Sequence, residues 1–319
     1  MRCFLTDISS FQIWFGDQQV ARCATPLESV PEFSQTTARK AGLPLDQLKH
    51  LGLTGPLHLA VPDRNSRTFS SGIVSHVLSN PPPRSFVRIS RDIYALAPIP
   101  TLIMIAPRIP REVLLRLIYQ LLGTYRISDG ELRERKPLAT LNELRTYLAS
   151  TFHMRGMRQV EALLRYAIEG IASPEEGRVA CLLFLPPKWG GRGLPLAESN
   201  ARIVISSDKN ASNTVRYADF FWRLWNLILE YDSDAFHTGS GRIGRDNARR
   251  SQLQAAGYTV VTLTNRQLHT ADEFEDVVDT LLRAMRRNSK TKGDAGFPER
   301  EGRLRRTLYR FDIERELGV

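Results

Sequence analysis

The sequence predicts an α/β protein in two parts. An α+β domain is expected over residues 1–150, and a domain with a mixed central sheet over 151–288. Three observations carry this. From residue 173 to 287 the apolar pattern runs helix, strands, helix, strand, helix, an interleaving that encloses a mixed sheet. At 319 residues the chain can build two cores of ordinary size. The polar segment ISDGELRERKP (127–137) reads as a loop and a seam between them.

Element by element, residues 1–55 read as a mostly helical lead-in. PLHLAVPD (56–63) is a strand ended by Pro62 and Asp63, SNPPPRS (79–85) a loop, and FVRISRDIYALAP (86–98) one or two short strands. Leu102, Ile105, Leu114, Leu117 and Leu121 mark a helix interrupted near Pro107 and Pro110. Helices are expected over 139–152 and 157–170. At Ser173 a cap residue, Pro174 and two acids open another, which carries VACLLFL (179–185). PPKWGGRGLP (186–195) is a loop. ARIVIS (201–206), TVRYADFFW (214–222) and LILEYD (227–232) are strands, with a turn at Arg223–Asn226. A helix from Gly244 to Ala256 ends at Gly257. YTVVTLT (258–264) is a β-branched strand and 272–287 an amphipathic helix. Residues 289–319 are a charged tail, in which Leu304, Leu308 and Phe311 would share a helix face.

Composition narrows the class. With 42% apolar and 24% charged residues the chain is of globular type. No apolar run reaches the roughly 18 residues of a membrane span, and the start lacks a signal-peptide pattern. Cys3, Cys23 and Cys181 are three, an odd number without metal-finger spacing. A cytoplasmic setting with idle thiols is therefore expected, and no Cys or His cluster suggests zinc. The formal charge of +10 is dominated by arginine. That favours a polyanion such as nucleic acid, because guanidinium forks match phosphate geometry; a GC-rich genome would also enrich arginine.

The chemistry concentrates in YADFFWRLWNLILEYDSDAFH (217–237). Asp219, Glu230 and Asp232 lie in apolar strands, where acids are costly to bury without a partner. Glu230 and Asp232 are two apart and share a strand face, and a hairpin brings Asp219 near them. Convergent carboxylates raise one another's pKa unless a cation neutralises them, and oxygen ligands suit Mg²⁺ or Mn²⁺. His237, in a Gly-rich segment, can handle a proton or be an ordinary loop histidine. Strand acids on a solvated face remain the simpler alternative. Arg242, Arg245 and Arg249 can grip phosphates or form a solvated helix face, with Asp246 pairing to Arg249 or Arg250.

These residues resemble the restriction-endonuclease-like PD-(D/E)XK superfamily, and within it the very-short-patch-repair endonuclease branch. The matching motifs are Ala218-Asp219-Phe220, Glu230-Tyr231-Asp232-Ser233, His237, Arg245-Asp246, Arg249, Leu253, Gly257-Tyr258 and the strand to Thr264. Upstream, Ser173-Pro174-Glu175-Glu176 matches an SPxE helix. The resemblance covers about 165–285. It implies an αβββαβ core and a metal-dependent DNA endonuclease or nickase in repair or defence. Asp219 and Glu230 would hold Mg²⁺ or Mn²⁺, Glu176 and Asp232 would position water or a second ion, and His237 would move a proton. Two positions depart from the pattern: Ser233 stands where glycine is usual, and Asp232 where the motif has lysine. The N-terminal segments LHLAVPD, SFVRIS, IYALAP and LLGTYRI resemble the leader of actinobacterial proteins carrying this domain. A competing class is a non-catalytic, antitoxin-like nucleic-acid-binding regulator that keeps the fold.

Overall fold

The computed structural model describes residues 2–16, 25–36, 38–39, 42–128, 130–151, 154–206, 213–233 and 249–317. The chain is of mixed α/β class and forms two compact units, Met1–Ala167 with Arg310–Val319, and Ile168–Tyr309.

Among the described residues, the first unit holds a five-stranded sheet built from β1 (Cys3–Leu5), β2 (Leu57–Val61), β3 (Ile73–Val77), β4 (Phe86–Arg88) and β5 (Ile93–Leu96). The order is β3-β2-β1-β5-β4, with β2–β3 and β1–β5 parallel and β1–β2 and β4–β5 antiparallel. Phe4, Phe33, Phe86, Tyr94 and Leu96 form a buried cluster, in which the Phe4 and Tyr94 rings stack at 4.7 Å. α1 (Asp7–Phe15) leaves β1 directly and packs on β2 and on α3 (Pro98–Ile105). Trp14 fixes it by donating its indole N–H to the Leu96 carbonyl at 2.7 Å. A 3-10 turn at Ala106–Arg108 separates α3 from α4 (Arg111–Leu122), at the prolines expected to interrupt this helix.

The mixed lead-in opens with a strand, β1, only three residues long and too short to show a period. β3 lies between the strand read at 56–63 and the loop read at 79–85; it is an edge strand with Val74 and Val77 exposed. The supposed loop at 127–137 contains a hairpin, Tyr125–Ser128 (β6) with Glu131–Glu134 (β7). β7 is exposed throughout, so a polar sequence suffices for it.

In the second unit β8 (Glu198–Ser206), β9 (Asn213–Trp222) and β10 (Leu227–Asp232) form an antiparallel meander, and β11 (Thr259–Thr264) joins β10 in parallel. Asn226 takes the left-handed conformation that closes the β9–β10 turn. α7 (Pro174–Phe184) covers one sheet face, with Phe184 edge-on to Phe220 and Trp222. Helical residues 249–255 (α8) put Leu253 against Phe221 and Ile228. The order is thus helix, three strands, helix, strand. α9 (Asn265–His269), α10 (Ala271–Ala284) and α11 (Phe297–Arg310) follow, with Leu304 and Leu308 of α11 buried. Arg192 ties this layer together: its guanidinium pairs with Glu275 and with Glu301 at 2.9 Å and lies over the Phe297 ring.

Candidate functional site

The acid cluster of the second unit starts at α7. Ser173 caps the helix, its hydroxyl accepting from Glu176 N–H at 3.1 Å. The Glu176 carboxylate turns back and accepts from Ala172 N–H at 2.9 Å and from the Ser173 hydroxyl at 2.8 Å. Capping thus places a carboxylate that is 7% exposed. Burial pushes it up to about 7, the nearby Asp219 carboxylate pushes the same way, and the two donors offset part of the rise.

Asp219 sits where the β9–β10 ladder stops. Regular pairing ends at Leu229↔Phe220. Beyond it the Tyr231 N–H turns to the Asp219 side chain, donating to Oδ2 at 2.6 Å. Burial raises the Asp219 pKa, against this hydrogen bond and the positive charge of Arg249. Glu230 lies next in β10, half-buried, and pairs with Arg249 at 3.1 Å. The same guanidinium donates to the Tyr217 carbonyl. Asp232 ends β10 opposite Thr264 of β11.

Glu176 thus lies near Asp219, and Arg249 links Asp219 to Glu230. The cluster is not a closed metal cage. Among the described residues, no three of Glu176, Asp219, Glu230 and Asp232 bring one ligand oxygen each within 4.8 Å of one another. His237, Arg242, Arg245 and Asp246 lie outside the described residues. Arg249 pairs with a carboxylate while staying partly exposed to solvent.

A second cluster escaped the sequence, and it corrects the expectation that no histidine cluster exists. In the first unit Asp7 Oδ2, His58 Nδ1 and His76 Nε2 face one another. His58 Nδ1 is 2.9 Å from His76 Nε2, and each nitrogen is 3.3 Å from Asp7 Oδ2. The group has the ligand types and spacing to hold a metal ion. Asp7 and His58 are buried, and His76 is half-buried on the edge strand β3. Burial pushes both imidazoles down, His76 to about 4 with help from His58 and Arg67, so both are neutral at pH 7. Arg108 pairs with the other Asp7 oxygen, Oδ1. One local signal existed: Thr6, Asp7, Ser9 and Ser10 are polar residues buried between Phe4-Leu5 and Phe11.

Cys3 and Cys181 belong to neither cluster; both are buried, and burial pushes the Cys3 thiol up to about 12, while Cys23 lies outside the described residues. Among the described residues, no helix is long and apolar enough to cross a membrane.

No family model matches the chain, and no solved structure matches it. Two curated proteins of Mycobacterium tuberculosis are similar to it. These are the uncharacterized protein MT2308 of strain CDC 1551 / Oshkosh and the uncharacterized protein Rv2248 of strain ATCC 25618 / H37Rv. Each is 28% identical over 146 residues, which is 42% of this chain and 49% of the relative. The matched region thus spans about half the length of these curated relatives.

Proposed function

We propose that the second unit is a metal-dependent DNA endonuclease or nickase of the restriction-endonuclease-like class, acting in repair or defence. The observation that carries this reading is the juxtaposition of the buried Glu176 carboxylate with the half-buried Asp219, with Glu230 linked to them through Arg249. Buried like charges need neutralisation, by a proton or by a cation. The mixed α/β element order α7-β8-β9-β10-α8-β11 supports this reading. The +10 charge suits a polyphosphate partner.

The all-oxygen donor set fits the hardness of Mg²⁺ or Mn²⁺. In the present arrangement Arg249 occupies Glu230, and an ion would have to displace it. Asp219 and Glu230 would then hold the ion, which supplies charge neutralisation at the phosphate and a more acidic water. Glu176, titrating near neutrality, is able to take a proton from that water or share its positioning with Asp232. His237 is the further proton carrier. Arg242, Arg245 and, once freed, Arg249 would contact phosphates.

The Arg249–Glu230 pair favours a second reading. A guanidinium that already neutralises the acids suits a non-catalytic nucleic-acid-binding regulator on the same fold. Supercoiled plasmid and short duplexes, with and without mismatches, incubated with Mg²⁺ or Mn²⁺ separate the two. The endonuclease nicks or cuts in a metal-dependent way, and Asp219→Ala abolishes this while retaining DNA binding. Tight binding without cleavage under either metal would replace the enzyme by the regulator.

A further inference from the structure

We propose that the first unit binds one divalent first-row transition ion through Asp7 Oδ2, His58 Nδ1 and His76 Nε2, with at least one coordination position open toward solvent on the His76 side. The inference rests on the first unit alone and is independent of the nuclease reading.

The spacing is that of ligands around an ion. Nitrogen and oxygen ligands lie about 2.0–2.1 Å from such ions, so neighbouring ligand atoms are roughly 2.8–3.0 Å apart in an octahedral set and roughly 3.3–3.4 Å in a tetrahedral one. The three edges here measure 2.9, 3.3 and 3.3 Å.

Protons alone do not satisfy this triangle. If His58 Nδ1 carries the hydrogen and donates to His76 Nε2, that nitrogen has no hydrogen left for the Asp7 carboxylate, and two electron-rich atoms abut at 3.3 Å. If His76 Nε2 carries it and donates to His58 Nδ1, the same conflict falls on His58. If both carry hydrogens and donate to Asp7, two N–H groups abut at 2.9 Å. Every assignment leaves one edge repulsive, whereas a cation attracts all three atoms at once.

The surroundings hold the ligands in place. His58 stands on β2, its N–H donating to the Ser9 hydroxyl at 2.9 Å and its carbonyl accepting from Thr6 N–H at 2.9 Å. His76 stands on β3, in parallel register with β2. Asp7 opens α1 at φ +47°, a left-handed conformation uncommon for a residue with a side chain. Arg108 takes its Oδ1 and leaves Oδ2 for the histidines, the outer-shell contact that orients a ligating carboxylate. Access comes from the edge strand: the His76 side chain is 22% exposed, against 8% for His58 and 6% for Asp7.

The donor set selects the ion. Two imidazoles and one carboxylate suit Zn²⁺, Co²⁺, Fe²⁺, Ni²⁺ or Mn²⁺, whereas Mg²⁺ and Ca²⁺ prefer oxygen throughout. Three protein ligands leave room for water or an exogenous ligand, as in reactive rather than purely structural sites.

The test uses the full chain, stripped with chelator and titrated calorimetrically with ZnCl₂, CoCl₂, MnCl₂ and MgCl₂, with metal content measured after gel filtration. With excess Mg²⁺ present to fill any all-oxygen site, one equivalent of Zn²⁺ or Co²⁺ should bind, and these two ions are the readout for the variants. His76→Ala, at the half-exposed edge, should weaken binding by about 100-fold or more with unchanged circular dichroism, and Arg108→Gln by about 10–100-fold. His58→Gln should abolish binding and Asp219→Asn should leave it intact. The proposal is overturned if no transition ion binds, if binding survives His76→Ala, or if Asp219→Asn removes it.

Discussion

Glu176 offers a stability experiment that reports on the acid cluster without assuming catalysis. In the unfolded chain its carboxyl titrates near 4.5; in the fold, burial and Asp219 push it to about 7. Between these values the native state holds a proton that the unfolded state has released, so stability falls as pH rises. The gap corresponds to about 3 kcal/mol, fully present as a penalty above pH 7 and absent below about 4.5. Glu176→Gln removes the ionisation while keeping the size and one strong acceptor. It costs about 1 kcal/mol at low pH for the altered hydrogen bonding and gains on wild type as pH rises. The assay is urea unfolding in chelator from pH 4.5 to 8, read by tryptophan fluorescence in a Trp14→Phe background. The signal then comes from Trp189, Trp222 and Trp225 of the second unit. The difference between Glu and Gln should change by about 3 kcal/mol across this range. Asp219→Asn should move the Glu176 transition to lower pH, because it removes a like charge. Parallel curves for Glu and Gln would refute the reasoning and leave Glu176 as an ordinary cap.

Two further predictions concern the contacts of the 190–192 loop with α10 and α11. Arg192→Met removes the guanidinium shared by Glu275 and buried Glu301. It should destabilise the second unit by about 3 kcal/mol, at the lower end for a broken buried pair because Arg305 still contacts Glu301. A urea midpoint within error of wild type would show that Arg192 contributes only by filling space. Gly190→Ala should cost about 2–4 kcal/mol, since Gly190 has φ +89° and a Cβ there would lie 2.4 Å from the Arg300 carbonyl oxygen of α11. Gly293→Ala, at φ +82° with open space around it, should cost about 1 kcal/mol, and equal thermal shifts would sink the close-approach argument.

The two clusters show why one was legible in the sequence and the other was not. Glu176 announces itself, because Ser173-Pro174-Glu175-Glu176 is a local capping pattern, and the cap forms as written. Asp219 and Glu230 are joined by a hairpin whose turn is four residues long, so reading two strands was enough to bring them together. What the sequence hid there was a further partner: the spacing suggested that Asp246, which lies outside the described residues, pairs with Arg249 or Arg250, and the fold sets Arg249 on Glu230. Asp7, His58 and His76 meet across 51 and 18 residues, through a sheet order that no periodicity reveals. α1 hid its acid further by being buried on every side except at Gln12, so it shows no polar face. Yet the argument that singled out Asp219, an acid in an apolar run that must be costly to bury, applies equally to Asp7 between Phe4-Leu5 and Phe11-Ile13-Trp14. The first rule looks for the partner in neighbouring elements, where a hairpin supplies it. For Asp7 the partners come from β2, β3 and the turn before α4, and only the folded sheet names them.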